Sequence, residues 1–321
     1  NKLPLPLDNY LKKTMLPVLY TEMKKAGWPM CPYVNEIEKI PDDGIAGFLD
    51  LGRYSTGYTA MFNTLGFMPE THMLKPYPQR VASTLALLKI YLTYCNQHAA
   101  EIITTRNAAK AWVTSAKTFP INWKLDMSAP EQFMFKGYAA KYKPSEVSGL
   151  QRLYYDRNEP FEKNIPYYDT YSPTLTINAP TAYIIPQAWS YVIQRLKMNH
   201  VIIQQLPADT LMEVEVYYID KFDNTPNAFE GHYLHSNITV KTVTQKIQYY
   251  KGDYLILTNQ TCNRYIVETL EPQGYDSFFA WNFFDGVLQQ KEYFSDYVFE
   301  DLAADILKKQ PELRAELDKV K

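Results

Sequence analysis

The sequence predicts an α/β protein of two domains. Helical and strand-like hydrophobic patterns alternate along the chain, which is typical of helices layered on sheets. Its 321 residues are enough for two domains with their own cores. Hydrophobic residues make up 46% of the chain and charged residues 21%, so the protein is globular and not disordered. The composition changes after Trp112, and we therefore place the domain boundary near residue 110.

The first predicted domain, residues 1–110, mixes helices and strands. Residues 8–25 carry apolar side chains at helical spacing, with a helix start at Asp8 and an interruption at Pro17. Strands are expected over 30–34 and over 60–69. A long helix is expected over 78–110. Its predicted buried stripe consists of Val81, Leu85, Leu88, Leu92, Cys95, Ala99 and Ile102.

The second predicted domain, residues 111–321, contains most of the strands. Residues 113–180 are rich in Tyr, Pro and Lys and predict short strands and ordered loops. Residues 181–206 predict a strand, a helix and a second strand at 201–203. Alternating apolar patterns predict strands over 212–219, 237–250 and 253–258. A helical segment is predicted over 276–309.

Composition and motifs exclude several classes of protein. The net charge is −2 with both signs mixed, so the chain has no electrostatic footprint for nucleic acid or an anionic membrane. No apolar run approaches the roughly 18 residues of a membrane span. Three widely separated cysteines form neither a disulfide framework nor a zinc knuckle. Nucleophile elbows, phosphate-binding loops and dinucleotide fingerprints are also absent from the sequence.

Glu70 is the candidate catalytic residue. It follows the apolar run predicted as a strand at 60–69, and a carboxylate at the end of a buried strand must be paired, bound to metal or used for chemistry. Taken alone, the residues favour a structural role, in which Glu70 caps the next turn or pairs with Lys75 or Arg80. His72, two residues later, is expected either to orient the carboxylate or to pack as an ordinary side chain.

Two stretches of the chain resemble a known family. They are GIAGFLDLGRYSTGYTAMFNTLGFMPETHMLKPYPQR (44–80) and NRYIVETLEPQGYDSFFAWNFFDGVLQQKEYFSDYVFED (263–301). They resemble the zinc carboxypeptidases, the carboxypeptidase A-like metallopeptidases, and in particular large bacterial members with an extra C-terminal region. The resemblance implies that residues 1–110 are the C-terminal portion of a mixed-sheet α/β catalytic domain, and that 111–321 form an accessory α/β domain with a mixed sheet. It also implies a secreted or periplasmic peptidase that hydrolyses C-terminal peptide bonds.

The resemblance implies roles for individual residues. Glu70 matches the general base, which takes a proton from zinc-bound water as the hydroxide attacks a peptide carbonyl. A stretch of small residues before it would shape the pocket for the substrate's C-terminal side chain. Two tyrosines and an arginine beside that stretch are candidates to bind the substrate carboxylate. The candidate substrate-binding residues are Arg53, Tyr54, Ser55, Thr56, Gly57 and Tyr58.

The resemblance also implies zinc, but not within this chain. The family holds its metal with a His-x-x-Glu pair and a later His, all before the general base, and no histidine precedes Glu70. The ligands, and the missing N-terminal part of the catalytic domain, are therefore expected upstream of Asn1, together with any targeting segment. His98 and Glu101 have the internal spacing of a zinc pair, but they follow the base, so a packed or solvated role is favoured.

A non-catalytic binding module is the alternative hypothesis. The Tyr-rich residues 138–171 and the strands within 212–258 would then form an aromatic-lined surface for a peptide or a glycan. An aromatic groove remote from Glu70 would favour this alternative.

Overall fold

The α/β class predicted from the sequence is confirmed by the computed structural model, which describes residues 2–289 and 295–320. The chain forms two compact units, Asn1–Phe283 and Phe284–Lys321. The first unit contains every candidate site residue. The predicted division near residue 110 stays a prediction.

The predicted N-terminal helix is confirmed, with a different start. Helix α1 (Leu5–Tyr10), a single π-helical turn (Leu11–Met15) and helix α2 (Leu16–Lys25) follow one another without a break. The helix begins after Pro4, and not at an Asp8 cap. Pro17 lies in the first turn of α2, next to the π turn, where a missing backbone N–H is tolerated.

The strand predicted over 30–34 is wrong, because these residues have no ladder partner. Pairing begins two residues later, where Glu36 forms an isolated antiparallel bridge with Ile45. Between them the chain reverses through a 3-10 turn, Pro41–Asp43, which the Pro-Asp-Asp-Gly sequence favours. Strand β1 is only two residues long, Ile45–Ala46.

The strand predicted over 60–69 is also wrong. Its first residues belong to helix α3 (Ser55–Met61), and residues 64–70 have no regular secondary structure and no strand partner. The buried residues of α3 are Gly57, Ala60 and Met61, which lie on one helical face at spacings of three and four. A short apolar run does not distinguish a strand from a short helix, so the pattern alone could not decide here.

The long helix predicted over 78–110 is confirmed in type, but its predicted burial is wrong. Helix α4 (Tyr77–Gln97) and helix α5 (Ala99–Ser115) are separated at His98. The core side of α4 is Leu87 and Tyr94; Tyr94 packs in a cluster with Tyr10, Met15 and Leu19. Most of the predicted stripe is exposed: Val81, Leu85, Leu88 and Leu92 are 46% to 73% exposed, and Cys95 and Ala99 are exposed as well. Ile102 alone in the stripe is partly buried and packs against the core cluster, as predicted. Because α4 is apolar on both sides, its periodicity could not identify the core side.

Residues 113–180 form longer strands than predicted. Strands β2 (Thr118–Leu125), β3 (Glu131–Pro144), β4 (Gln151–Tyr168) and β5 (Tyr171–Asn178) lie in this region. β3 and β4 form an antiparallel hairpin, and β1 pairs in parallel with the end of β4, so this sheet is mixed. β2 pairs with β5 in a separate antiparallel ladder.

The predictions for residues 181–258 are confirmed except at 201–203. The elements are β6 (Ala182–Ile185), α6 (Ser190–Met198), β7 (Gln204–Gln205), β8 (Thr210–Asn224), β9 (His235–Tyr249) and β10 (Tyr254–Leu257). β10 lies between β6 and β7 in an antiparallel sheet, and β8 and β9 form a long hairpin. The short second strand is β7, just beyond the predicted position.

Helix α7 (Asn263–Leu270) is the most buried helix in the described part of the chain. Val267 packs in a core cluster with Val113, Phe119 and Ile121, which joins α7 to α5 and β2. The helical prediction for 276–309 is only partly correct. Residues 276–284 form turns, Asp285–Leu288 form a 3-10 helix, and residues 290–294 lie outside the described residues. Helix α8 (Asp296–Lys309) begins later and is followed by α9 (Pro311–Val320). None of the described helices has the length and apolar character of a membrane span.

Candidate active site

Glu70 lies exposed on the irregular stretch that joins α3 to α4. Its carboxylate is next to the phenol of Tyr33, and the negative charge and a hydrogen bond raise the pKa of Tyr33. Neither Lys75 nor Arg80 forms an ion pair with it among the described residues. The cost of burial that singled out Glu70 in the sequence therefore does not apply.

His72 shapes the chain immediately after Glu70. Its ring Nδ1 lies 3.2 Å from the backbone N of Leu74, which donates a hydrogen bond to it. The backbone N–H of Lys75 donates to the carbonyl oxygen of His72 at 3.0 Å. His72 thus closes a turn, and this turn sets the direction in which the chain leaves Glu70 for α4.

Arg53 forms an ion pair with Asp276, a residue that was not among the candidates predicted from the sequence. Its Nη2 and Nε lie 2.6 and 2.7 Å from Oδ1 of Asp276, and its backbone N–H donates to Oδ2 at 2.8 Å. The guanidinium also lies over the rings of Phe229 and Trp281, 5.4 and 5.2 Å from their centroids. A substrate carboxylate would have to compete with Asp276 for this side chain. The binding role of Arg53 stays a prediction.

Residues 54–58 form the start of α3, not a loop. Tyr54 precedes the helix and is half-exposed, as is Tyr58 one turn later. The hydroxyl of Tyr58 donates to Oδ1 of Asn199, whose Nδ2 donates to the hydroxyl of Tyr265 at 2.9 Å. Ser55 is exposed and Thr56 half-buried on the same turn. The structure thus brings the candidate substrate-binding residues together at one helix N-terminus, and their roles stay predictions.

Gly57 is required by a close backbone approach. A Cβ at this position would lie 2.1 Å from the carbonyl oxygen of Leu51 and 2.5 Å from that of Asp50. We expect Gly57→Ala to lower the free energy of unfolding by about 1–3 kcal/mol, since the helix would have to move away from this loop. Urea denaturation of both proteins measures the difference.

Ser55→Ala is the matched control for Gly57→Ala, because Ser55 is exposed on the same helix. It is expected to change stability by no more than about 0.5 kcal/mol. Equal stability of the two variants would contradict the steric explanation.

The described residues do not form a metal site. Within residues 2–289 and 295–320, no group of three or more His, Cys, Asp or Glu side chains is arranged to hold a metal ion. His98 and Glu101 do meet, with Nδ1 and Oε2 3.2 Å apart at the surface. The ring of His98 also stacks on Tyr94 at 4.3 Å between centroids. Two exposed ligands without a third do not fit a zinc centre.

Two aromatic residues near Glu70 were missed by the sequence analysis. Phe48 and Tyr33 are both more than half exposed, and they lie between Glu70 and Tyr54. Their proximity depends on the pairing of residues 35–37 with 44–46, which local patterns did not reveal. The sequence signal was limited to two aromatic residues flanking a Pro-Asp-Asp-Gly turn.

Curated fungal proteins named Carboxypeptidase 2 are similar to part of this chain. The protein of Trichophyton rubrum is 31% identical over 106 residues, which is 33% of this chain and 20% of the relative. Those of Trichophyton tonsurans and Trichophyton equinum are each 31% identical over 104 residues, or 32% of this chain and 19% of the relative. The match thus spans about a fifth of the length of these curated relatives. No family model and no solved structure matches the chain.

These similarities support a less specific family assignment than the one predicted from the sequence. They do not favour the alternative of a non-catalytic binding module, since the relatives are named as carboxypeptidases. The bacterial, zinc-dependent, carboxypeptidase A-like assignment remains a prediction, as the relatives are fungal and cover one part of the chain. Over about a third of its length, the chain has a carboxypeptidase-like relationship.

Proposed function

We propose that this chain is part of a zinc-dependent metallocarboxypeptidase that hydrolyses C-terminal peptide bonds of peptides or proteins. The observation that carries the proposal is the similarity to proteins named carboxypeptidases. The resemblance of residues 44–80 to zinc carboxypeptidases supports the finer assignment. A secreted or periplasmic location belongs to the same proposal.

Glu70 is the general base in this proposal. Its carboxylate is exposed, so water and a peptide carbonyl have access to it. A general base must lie within hydrogen-bonding distance of the proton that it takes, and a side chain on an open surface meets this condition once the substrate is bound. Residues 54–58 lie at the start of α3 and would shape the pocket for the terminal side chain of the substrate.

The metal would be held by residues outside this chain, because the described residues provide no zinc site. An exposed apolar face of α4 supports the proposal that the catalytic domain is larger than the part contained in this chain. Val81, Leu85, Leu88 and Leu92 share one face that is about half-exposed or more. Fully burying such a side chain contributes about 1.5–3 kcal/mol. We propose that the remainder of the carboxypeptidase-like domain covers this face.

Zinc stoichiometry tests the proposal. The chain and the intact protein that contains it are each incubated with zinc and desalted, and bound zinc is then measured. We expect no stoichiometric zinc on the chain alone and one zinc per intact protein, which should release C-terminal amino acids in a chelator-sensitive manner. The absence of zinc-dependent release by the intact protein would refute the proposal. Tight zinc on the chain alone, lost on His98→Ala, would place the metal at His98 and Glu101.

A further inference from the structure

Helix α3, which carries most of the candidate substrate-binding residues, is attached to the later part of the chain at three points. Before its start, the carboxylate of Asp276 accepts the backbone N–H of Arg53 at 2.8 Å. In its middle, the hydroxyl of Tyr58 donates to Oδ1 of Asn199. Beyond its end, Nδ2 of Asn63 donates to a backbone carbonyl oxygen in the loop before α7, at 2.7 Å. The orientation of α3 therefore depends on residues that follow it by 141 positions or more.

The attachment at Asp276 is the strongest of the three. Besides accepting the backbone N–H of Arg53, the carboxylate lies 2.6 and 2.7 Å from Nη2 and Nε of the same residue. The side chains of Arg53 and Asp276 are only 18% and 14% exposed. Hydrogen bonds between charged groups are stronger than neutral ones such as those at Tyr58 and Asn63. Asp276 thus fixes the backbone and the side chain of Arg53 together, immediately before the first turn of α3.

Asp276 is itself held in place by its neighbours. The indole N–H of Trp281 donates to Oδ1 of Asp276 at 3.0 Å. The ring of Trp281 packs edge-to-face against those of His232 and Phe229, with centroids 5.3 and 6.1 Å apart. Phe229 and His232 are in turn joined by two backbone hydrogen bonds of 2.9 Å. Because packing and hydrogen bonds fix its conformation, Asp276 can hold Arg53 in one orientation.

We propose that Asp276 is a positioning residue of the candidate active site. It acts through Arg53: the carboxylate fixes the direction in which residues 54–58 enter α3 and so presents them to the substrate in one arrangement. A displacement of about 1 Å in a group that positions the substrate can cost about 10²-fold in rate, so a contact away from the reacting atoms can control the site. This inference rests on the proposed function.

Asp276→Asn in the intact protein tests this role. The amide has nearly the shape of the carboxylate but lacks the charge that holds the guanidinium of Arg53. The substrate is the best one among N-acetyl-Gly-Gly-X peptides, in which X is each amino acid in turn. We expect KM to rise by about tenfold, because residues 54–58 bind less well once they are no longer held. We expect kcat to stay within about twofold, because these residues take no part in the proton transfer.

Asp253→Asn is the matched control. Asp253 is also a buried carboxylate that accepts backbone N–H groups, from Gln187 at 3.1 Å and from Tyr250 at 2.8 Å, but these partners lie around β10 and not on α3. Urea denaturation should show that both variants lose stability, whereas KM of Asp253→Asn should stay within about twofold. Asp276→Glu, which restores the charge, should recover part of the affinity. A merely structural role of Asp276 would reduce the folded fraction, and hence the apparent kcat, without changing KM.

Hydrogen exchange measured by mass spectrometry follows the position of α3 without requiring turnover. In Asp276→Asn, the amides of residues 58–64 should exchange about tenfold faster than in the unaltered protein, because one end of the helix loses its attachment. Asp253→Asn should leave their exchange unchanged, and circular dichroism should show that all variants fold. An unchanged KM of Asp276→Asn in an active protein would overturn the proposal, as would equal effects of the two variants on the amides of α3.

The two measurements separate this inference from the proposed function. If the intact protein cleaves none of the peptides but the exchange of residues 58–64 still depends on Asp276, the proposed function fails and the attachment of α3 by Asp276 stands. If the peptides are cleaved in a zinc-dependent manner and neither KM nor exchange responds to Asp276→Asn, the proposed function stands and the positioning role does not.

Discussion

Glu70→Gln in the intact protein is expected to lower kcat for release of a C-terminal amino acid by roughly 10²–10⁴-fold, the usual contribution of a general base. The amide has nearly the shape of the carboxylate but cannot accept the proton. Because Glu70 is exposed and forms no ion pair among the described residues, the fold should not depend on its charge. Zinc content and melting temperature should therefore remain those of the unaltered protein. Steady-state kinetics and metal analysis measure these quantities.

Glu101→Gln is the control for this prediction. Glu101 is another exposed carboxylate of the same domain, and its partner is the histidine of the apparent zinc pair. Its replacement should leave kcat within about twofold and zinc content unchanged. Substantial activity of Glu70→Gln would refute the assignment of Glu70 as base. Loss of zinc in Glu101→Gln would place the metal on α5.

Glu268→Gln is expected to have the largest effect on stability. Glu268 is buried on α7, and its carboxylate accepts from Nζ of Lys2 at 2.9 Å and from Nη1 of Arg264 at 2.7 Å. Both basic side chains are themselves buried. Removing the negative charge leaves two buried cations without compensation, which costs about 3–5 kcal/mol. Urea denaturation at neutral pH should show this loss.

Glu162→Gln provides the comparison for Glu268→Gln. Glu162 pairs with Lys136 at 2.6 Å, but both side chains are about 60% exposed on the β3–β4 hairpin. An exposed pair contributes only about 0–1 kcal/mol. Similar losses for the two variants would show that burial around α7 is not what makes the Lys2–Glu268–Arg264 cluster important.

The sequence identified Glu70 for a reason that the structure does not support. A buried strand was predicted before the carboxylate, whereas the chain forms α3 and then an irregular stretch that is exposed at residues 68–70. A short apolar run does not by itself distinguish a strand from a helix, and here its first residues, Ala60 and Met61, are buried as part of α3. The role of Glu70 as a base stays a prediction, which rests on the resemblance of residues 44–80 and not on burial.

Asp276 and Phe48 show why the rest of the site could not be predicted. Asp276 is more than 200 residues from Arg53 along the chain, and only folding brings the carboxylate to the guanidinium. Phe48 meets Tyr33 only because residues 35–37 pair with 44–46. Neither contact produces a periodic pattern, so a local reading of the sequence has no signal for it.

The sequence by itself determined the α/β class, most helices and strands, and a carboxypeptidase-like relationship over about a third of the chain. These features depend on local spacing of apolar residues and on short motifs, which the chain carries regardless of what it packs against. Only the tertiary structure decided that Arg53 forms an ion pair with Asp276 and that the ring of Phe48 packs against that of Tyr33. It also decided which side of α4 faces the core. Such contacts join distant parts of the chain, and their free energy depends on geometry that local spacing does not contain.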